Sequence, residues 1–226
     1  MAKISIIIKT LNEERNIARA LDSCVRALEG HDGEIIVADS GSTDRTIDVA
    51  LGYPATVVQV RDSTEGRCGV GPQLGYQHCS GQFVYVLDGD MELHPEFLGY
   101  ALDYLERHAD VAGLGGVIQE MRTQNMEFAS RQVRAERYIA RHGSMLEQPH
   151  EMGYLAGGAL YRRSALDDVG YLSDRNLLGN EEFDLGARLR ARGWKLVRSN
   201  ETAANHYSHD KGTFSLLVHR LRSGMI

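Results

Sequence analysis

The stretch ISIIIKTLNEE, residues 4–14, places an unbroken apolar run directly before a polar turn. An apolar run without alternation is typical of a strand that is buried on both faces, as in a parallel sheet. A helical period follows from Ile17 to Leu28 and ends at Gly30. A buried strand followed by an amphipathic helix predicts the crossover unit of a parallel α/β sheet.

The same unit recurs through the first half of the chain. We expect strands at residues 34–39, 55–60 and 82–88, with a helix after residue 44, a short helix ending at Cys79 and another that begins near Pro95. This alternation predicts an α/β fold with a mostly parallel central sheet. Ligands of such sheets lie beyond the carboxyl ends of the strands, so the polar residues that follow the strands form the candidate site.

The second half of the chain is less regular. Its patterns predict helices at 128–143 and 181–193 and strands at 153–163 and 194–199. In the helix at 181–193 the candidate inward positions are Phe183, Leu185 and Leu189. Two glycines in the expected strand at 153–163 indicate close approach of the backbone to a ligand or a neighbouring strand, at Gly157 and Gly158.

Composition narrows the class of protein. The chain has 226 residues, enough for one large or two small domains, and its hydrophobic and charged fractions of 42% and 25% are those of a globular protein. A net charge of −6 argues against nucleic acid as the main partner, because phosphate backbones demand a basic surface. Three cysteines without metal spacing indicate a reducing compartment, and no apolar run is long enough for a signal peptide or a membrane span. We therefore expect a cytoplasmic protein.

Two carboxylates one residue apart end the expected strand at 82–88, in the sequence LDGD. If the chain stays extended through Gly89, Asp88 and Asp90 point to the same side, where they repel each other unless a cation lies between them. A hairpin turn is disfavoured because helical spacing follows, and a phosphatase motif would need a hydroxyl residue where Glu92 stands. A divalent metal that carries a substrate's phosphates fits the pattern best.

Five motifs occur in order along the chain: IIIKTLNEE, VADSGSTD, LDGD, GGALYRR and NEEFDLGARLRARGWKL. In this order and at these spacings they resemble the family 2 glycosyltransferases of the GT-A fold. The resemblance implies a three-layer α/β sandwich, formed by residues 1–226 as one domain, with a Rossmann-like nucleotide-binding half at about 1–110 and an acceptor-binding half at about 111–226. It also implies an inverting transfer of a sugar from a nucleotide-sugar donor, with a UDP-sugar favoured, to a hydroxyl of a saccharide or lipid-linked glycan, with Mn or Mg as cofactor.

For donor binding the resemblance assigns residues after the first three strands. Thr10, Asn12 and Glu13 would line the nucleotide pocket, although Thr10 to Glu13 also matches a capping box that begins a helix. Asp39 would contact the base, or would stabilise its own turn. Arg67, in a glycine-rich loop, matches a basic residue that faces the nucleotide, and its alternative is a surface arginine.

For the chemistry the resemblance assigns carboxylates and a histidine. Asp90, with Asp88 and His206, would hold the metal, and His209 is the alternative histidine. Glu182 stands where the family has an aspartate as general base, so the base in this chain would be one methylene longer.

Other interpretations stay open. Acidic residues at the start of the helix at 181–193 also suit its dipole, and Asp184 can pair with Arg188 four residues later. A catalytically inactive GT-A module that only binds a nucleotide or a partner, or a sugar-nucleotide nucleotidyltransferase, would share the sheet. The basic amphipathic tail FSLLVHRLRSGMI, residues 214–226, would form a helix that either packs on its own domain or makes peripheral contact with the inner face of a membrane.

Overall fold

One mixed β-sheet runs through the part of the chain that the structure, a computed structural model, describes: residues 3–61, 69–121, 149–177 and 179–207. The strands of these ranges are β1 (Ile4–Thr10), β2 (Gly33–Asp39), β3 (Thr56–Gln59), β4 (Phe83–Asp88), β5 (Met91–Leu93), β6 (Val111–Glu120), β7 (His150–Glu151), β8 (Ala159–Arg162) and β9 (Lys195–His206). The helices of the same ranges are α1 (Ile17–Ala27), α2 (Thr46–Ala50), α3 (Val70–His78), α4 (Phe97–Arg107), α5 (Arg163–Asp168) and α6 (Glu181–Ala191).

The sheet has the strand order β3-β2-β1-β4-β8-β6-β9-β5, with β7 paired to β9. Strands β1 to β4 are parallel to one another, β8 runs antiparallel between β4 and β6, and β9 is parallel to β6. The carboxyl ends of β1, β2, β4, β6 and β9 therefore lie at one edge of the sheet. This arrangement confirms the predicted α/β fold with a mostly parallel sheet, and β2, β3 and β4 lie within one residue of their expected limits.

Apolar side chains fill both faces of the sheet. On β1, Ile6 and Ile8 belong to a core layer that contains α1 and α4, while Ile7 belongs to the opposite layer, which contains α3 and α6. All three isoleucines are fully buried. The unbroken apolar run at the start of the chain is therefore explained by a strand that lies between two layers of helices.

The structure corrects several expected elements. The chain turns at residues 89–90 instead of staying extended, and residues 91–93 form β5, which pairs with β9 and not with β4. The helix expected near Pro95 is observed and begins at Phe97. Strand β8 occupies only the end of the stretch expected at 153–163, whereas β9 continues past residue 199 to His206. Strand β6, in the interior of the sheet, has no counterpart among the predicted strands.

Helix α6 confirms two of its three expected inward positions. Leu185 and Leu189 are buried, but Phe183 is 52% exposed, so its inward assignment is wrong. The predicted helix at 128–143 and the tail at 214–226 lie outside the described residues. Within the described ranges, no helix has both the length and the apolar character needed to cross a membrane. The division of the chain near residue 110 into donor and acceptor halves stays a prediction.

Candidate active site

Hydrogen bonds link the turn after β1 to the turn after β2. Asn12, in the left-handed region with φ of 57°, donates its backbone N–H to the Ser42 hydroxyl at 2.8 Å and accepts the Thr43 N–H at its Oδ1 at 2.9 Å. The backbone N–H of Glu13 donates to the Thr46 hydroxyl at 2.7 Å. Two predicted substrate-binding residues, Asn12 and Glu13, therefore hold the two strand-end turns together, and their contact with a nucleotide stays a prediction.

Asp39 ends β2 with a fully buried side chain. Its Oδ2 accepts the backbone N–H of Gly41 at 2.9 Å, that of Ser42 at 2.7 Å and the Gln59 side-chain amide at 3.0 Å, and its Oδ1 accepts the Ser42 hydroxyl. The carboxylate therefore stabilises its own turn. A base that contacts Asp39 would have to replace one of these donors, and the Gln59 amide is the one that comes from another strand.

Thr10, the last residue of β1, has a buried hydroxyl with no hydrogen-bond partner among the described residues. Buried hydroxyls normally have a partner, so this one remains available to a water or a ligand. A Cβ at Gly89 would lie 2.9 Å from the Thr10 hydroxyl and 3.1 Å from the Glu13 side chain. The glycine of LDGD is therefore required by the close approach of the β4–β5 turn to the end of β1.

Lys9 is surrounded by three carboxylates. Its Nζ lies 3.1 Å from Oδ1 of Asp88, 3.1 Å from Oε1 of Glu181 and 3.4 Å from Oε1 of Glu182. Burial alone would lower the pKa of Lys9, but the three carboxylates outweigh it and hold that pKa well above its ordinary value. Lys9 is therefore an ammonium that joins the end of β4 to the start of α6. The sequence analysis missed it, and the available signal was a charged residue at the end of a buried apolar run.

The two carboxylates of the LDGD motif have different partners. Asp88 contacts Lys9, whereas Oδ2 of Asp90 lies 3.2 Å from Nε2 of His206. Residues 89–90 form a turn, so the chain does not stay extended between the two carboxylates. Asp88 acts together with Asp90 to raise the pKa of His206, and the binding of one cation by both carboxylates stays a prediction.

Gly157 and Gly158 bring the chain before β8 close to β4. A Cβ at position 157 would lie 3.0 Å from Oδ2 of Asp88. Gly158, with φ of +80°, donates its N–H to the carbonyl of Val86 at 2.8 Å. The close approach to a neighbouring strand that these glycines predict is observed, and it places backbone directly beside the Asp88 carboxylate.

His206, the last residue of β9, lies between two carboxylates. Its Nδ1 is 2.8 Å from Oε2 of Glu120 and its Nε2 is 3.2 Å from Oδ2 of Asp90. Burial alone would lower the pKa of His206, but the hydrogen bond and charge of Asp90, together with the charge of Glu120, raise it above the ordinary 6.5. Glu120 ends β6, the strand that has no predicted counterpart, so the sequence analysis missed it as well.

The first turn of α6 presents three acidic residues in different surroundings. Oδ2 of Asp184 lies 2.8 Å from both Nε and Nη2 of Arg188, the pairing expected for residues four apart. The side chain of Glu181 is 9% exposed, and that of Glu182 is 28% exposed. Of the two carboxylates that contact Lys9 from this helix, Glu182 is the more exposed.

The surroundings of Glu182 increase its affinity for a proton. Burial raises its pKa, Lys9 lowers it, and the nearby carboxylates of Glu181 and Asp88 raise it again, so that the pKa lies above the ordinary 4.5. A general base is most effective when its pKa is close to the working pH. The direction of this shift therefore suits the predicted role.

A cavity of about 30 Å³ lies beside the Lys9 cluster. Its lining includes Lys9, Glu182 and Ser173, and the Ser173 hydroxyl is buried without a hydrogen-bond partner among the described residues. A space of this size admits water beside the candidate base.

Asp90 and His206 supply a pair of ligand atoms for a divalent cation. Their separation of 3.2 Å is close to the roughly 3 Å between neighbouring ligands of an octahedral ion with bonds of about 2.1 Å. Among the described residues, no three His, Cys, Asp or Glu side chains form a group that could hold a metal by themselves. Two protein ligands suit an ion that is shared with substrate phosphates. His209, the alternative ligand, and Arg67 lie outside the described residues.

The chain matches known sequences over most of its length. The family model described as Glycosyl transferase family 2 matches residues 5–170. The chain is 28% identical over 130 residues to dolichol-phosphate mannosyltransferase of Pyrococcus furiosus, and this alignment covers 56% of this chain and 36% of that protein.

Two solved structures have the same fold as this chain. TarS of S. aureus, in complex with UDP-GlcNAc, has a TM-score of 0.72 and 19% identity, over 94% of this chain and 60% of that one. The mannosyltransferase PcManGT from Pyrobaculum calidifontis, in complex with GDP-Man and Mn²⁺, has a TM-score of 0.71 and 17% identity, over 96% of this chain and 60% of that one. The chain spans less than two thirds of each of these three relatives. The structural likeness confirms the predicted GT-A fold, and the match to the family model shows that the chain belongs to glycosyl transferase family 2.

Proposed function

We propose that the chain is a metal-dependent, inverting glycosyltransferase that moves a sugar from a nucleotide-sugar donor to an acceptor hydroxyl. The Lys9 cluster is the observation that carries the proposal. Asp88 and Glu182 both contact one ammonium, and the sum of the two distances, 6.5 Å, is the greatest separation their contacting oxygens can have. A carboxylate at the end of β4 and a candidate base on α6 therefore lie close enough to act on the same substrate, as a single displacement requires.

In this proposal Glu182 removes the proton from the acceptor hydroxyl as that oxygen attacks the anomeric carbon. The bond to the nucleoside diphosphate breaks on the opposite side, so one displacement inverts the centre. Lys9 holds the carboxylate of Glu182 in place through its contact at 3.4 Å. A positioned general base contributes a rate factor of about 10²–10⁴.

Asp90 and His206 are the residues that would hold a Mn or Mg ion in this proposal. When bound, such an ion supplies positive charge that offsets the charge developing on the leaving diphosphate. The complex of PcManGT with GDP-Man and Mn²⁺ supports this part of the proposal.

The nucleobase of the sugar donor is proposed from the chemistry of Asp39. A carboxylate only accepts hydrogen bonds, so Asp39 would favour bases with a ring N–H, which are uracil, thymine and guanine. We favour a UDP-sugar, in keeping with the complex of TarS with UDP-GlcNAc.

A stacked aromatic pair, in which Phe183 is 52% exposed, supports a saccharide, free or lipid-linked, as the acceptor. The rings of Tyr154 and Phe183 stack with centroids 3.8 Å apart, and Phe183 directly follows Glu182 in the chain. An aromatic face beside the base offers contact area to the apolar face of a sugar ring.

We place the protein in the cytoplasm, with residues 214–226 as the segment for peripheral contact with a membrane carrying such an acceptor.

A donor screen tests the proposal. The wild-type protein is incubated with Mn²⁺ and, in separate reactions, UDP-sugars and GDP-mannose, and release of the nucleoside diphosphate is measured with and without a mixture of saccharide acceptors. We expect release from one donor, its loss in excess chelator and its recovery on adding Mn²⁺ or Mg²⁺. The variant Asp90→Asn should lose most of the activity, whereas Asp103→Asn, which alters an exposed carboxylate on α4, should retain it.

Three results would overturn the proposal. Full activity in excess chelator would show that the reaction needs no divalent metal ion. Tight binding of a nucleoside diphosphate without release from any donor would instead favour the inactive GT-A module. Release of pyrophosphate when a nucleoside triphosphate and a sugar 1-phosphate are supplied in place of the donor would indicate a nucleotidyltransferase.

A further inference from the structure

Strands β6 and β9 bring Glu120 opposite His206. The two strands are parallel, and Gly115 pairs with Arg198. Register shifts follow, so that Glu120 pairs with His206. Had the register at Gly115 continued, with an offset of 83 residues, Glu120 would lie opposite Ala203. The irregularities in this pair of strands therefore determine which side chain reaches His206.

Glu120 contacts the imidazole on the side away from Asp90. Oε2 of Glu120 lies 2.8 Å from Nδ1 of His206, and the two side chains are only 9% and 10% exposed. A carboxylate accepts and cannot donate, so the Nδ1 of His206 carries a proton that it donates to Glu120. This bond fixes the plane of the ring and directs Nε2 at Asp90, 3.2 Å away.

We propose that Glu120 is a positioning residue, which orients His206 so that its Nε2 and Oδ2 of Asp90 bind one divalent cation together with a nucleoside diphosphate. The inference rests on the proposed metal dependence and adds a residue to it. Histidines that bind metals usually donate their other ring N–H to a carboxylate or carbonyl, and loss of that partner typically weakens metal binding about 10- to 100-fold. Glu120 has the position and the chemistry of such a partner.

The test measures binding of Mn²⁺ with UDP and needs neither the donor sugar nor the acceptor. Isothermal titration with UDP, in saturating Mn²⁺ and in chelator, is carried out on wild type, Glu120→Leu and Glu120→Gln. We expect Glu120→Leu to lower the Mn²⁺-dependent affinity for UDP by about 10- to 100-fold and to leave the affinity in chelator unchanged. Glu120→Gln, which keeps an acceptor oxygen, should lose less. Gln119→Leu, at an exposed neighbouring position on the same strand, serves as the control.

A purely structural role predicts a different outcome. The variant Glu120→Leu is therefore repeated in a His206→Ala background. If Glu120 acts through His206, it should have no further effect on UDP affinity there, whereas an equal loss in both backgrounds would overturn the inference. Wild-type affinity in Glu120→Leu, with His206→Ala impaired, would also overturn it and leave the proposed metal site intact. If Mn²⁺ does not change UDP binding to the wild type, the proposed metal dependence and the inference both fall.

Discussion

Replacing Lys9 with methionine is the sharpest test of the cluster at the sheet edge. Methionine keeps most of the length of the side chain and removes the ammonium. The carboxylates of Asp88, Glu181 and Glu182 would then lose the positive charge that lies 3.1 to 3.4 Å from each of them. The side chains involved are between 9% and 29% exposed, so water can replace only part of that charge.

The expected effect on stability is large. Removing one partner of a buried ion pair typically costs about 3–5 kcal/mol, because the remaining charge is left uncompensated. In a chain of 226 residues, each kcal/mol lowers the melting temperature by about 2–4 °C. We therefore expect Lys9→Met to melt about 6–20 °C below the wild type at neutral pH.

The assay is thermal unfolding of wild type, Lys9→Met and Lys3→Met at two pH values. Lys3 lies just before the same strand and pairs with Glu34, but its side chain is 39% exposed, so its loss should change stability by about 0–1 kcal/mol. Lys9 lowers the pKa of Glu182, which already lies above its ordinary value, so without Lys9 that pKa rises further. A carboxyl whose pKa is raised by folding binds its proton more tightly in the folded than in the unfolded protein. Lowering the pH through that raised pKa therefore stabilises the variant, and its deficit should shrink from about pH 8 to about pH 5.

Two results would refute this reasoning. A melting temperature within about 2 °C of the wild type would mean that the ammonium contributes no net stabilisation. A deficit that is the same at both pH values would mean that lost packing, and not uncompensated charge, is responsible. A second variant separates the two causes, because Lys9→Met with Glu181→Gln should recover part of the loss if charge is the cause.

Three further tests have defined expected outcomes. Glu182→Gln should lower turnover about 10²- to 10⁴-fold with donor affinity retained. The acid limb of the wild-type pH–rate profile should lie above pH 4.5, because burial raises the pKa of Glu182. Near-normal turnover in Glu182→Gln, with loss in Asp184→Asn, would identify Asp184 as the base. Gly157→Ala places a Cβ 3.0 Å from the Asp88 carboxylate, so donor binding, followed by titration, should weaken; unchanged affinity would show that this approach does not matter. If Asp39 contacts the base, UDP should bind about ten- to a hundredfold more tightly than ADP or CDP, and ADP binding as tight as that of UDP would contradict it.

The strands predicted correctly are those whose pattern is local. β1, β2 and β4 are apolar runs bounded by turn residues, and such a run carries its own signal wherever it lies in the sheet. β6 lacks that signal because glycines interrupt it. A Cβ at Gly113 would lie 2.6 Å from the Tyr161 ring, and one at Gly116 would lie 2.7 Å from the Phe97 ring. The residues that hid the strand from sequence reasoning are thus the ones that its packing requires.

Residues of the candidate site could be proposed from the sequence where they belong to a local motif, and they were missed where two distant segments meet. Asp88, Asp90 and Glu182 each follow a recognisable pattern. Lys9 and Glu120 do not, because their importance comes from partners 173 and 86 residues away, at Glu182 and His206. Strand register and helix docking create these contacts, and neither can be inferred from spacing along the chain.

Phe183 shows the opposite error, in which a local pattern was applied too loosely. Residues two apart on a helix point about 200° from each other, so Phe183 and Leu185 cannot share a buried face. Leu185 and Leu189, four apart, do share one. The helical period alone therefore places Phe183 on the outer side of α6, where it stacks on Tyr154.

Lys9 and His206 are held in different ways, and this difference predicts how metal binding and proton transfer separate in the proposed mechanism. His206 is held by Glu120 on one ring nitrogen and presents the other to Asp90, so that nitrogen can exchange its proton for a metal ion. Lys9 contacts three carboxylates at once and is a donor that cannot bind a metal while it stays protonated. We therefore expect changes at Glu120 and His206 to alter the metal-dependent affinity for the nucleotide more than they alter the pH dependence of turnover. Changes at Lys9 should alter the pH dependence of turnover more than they alter that affinity.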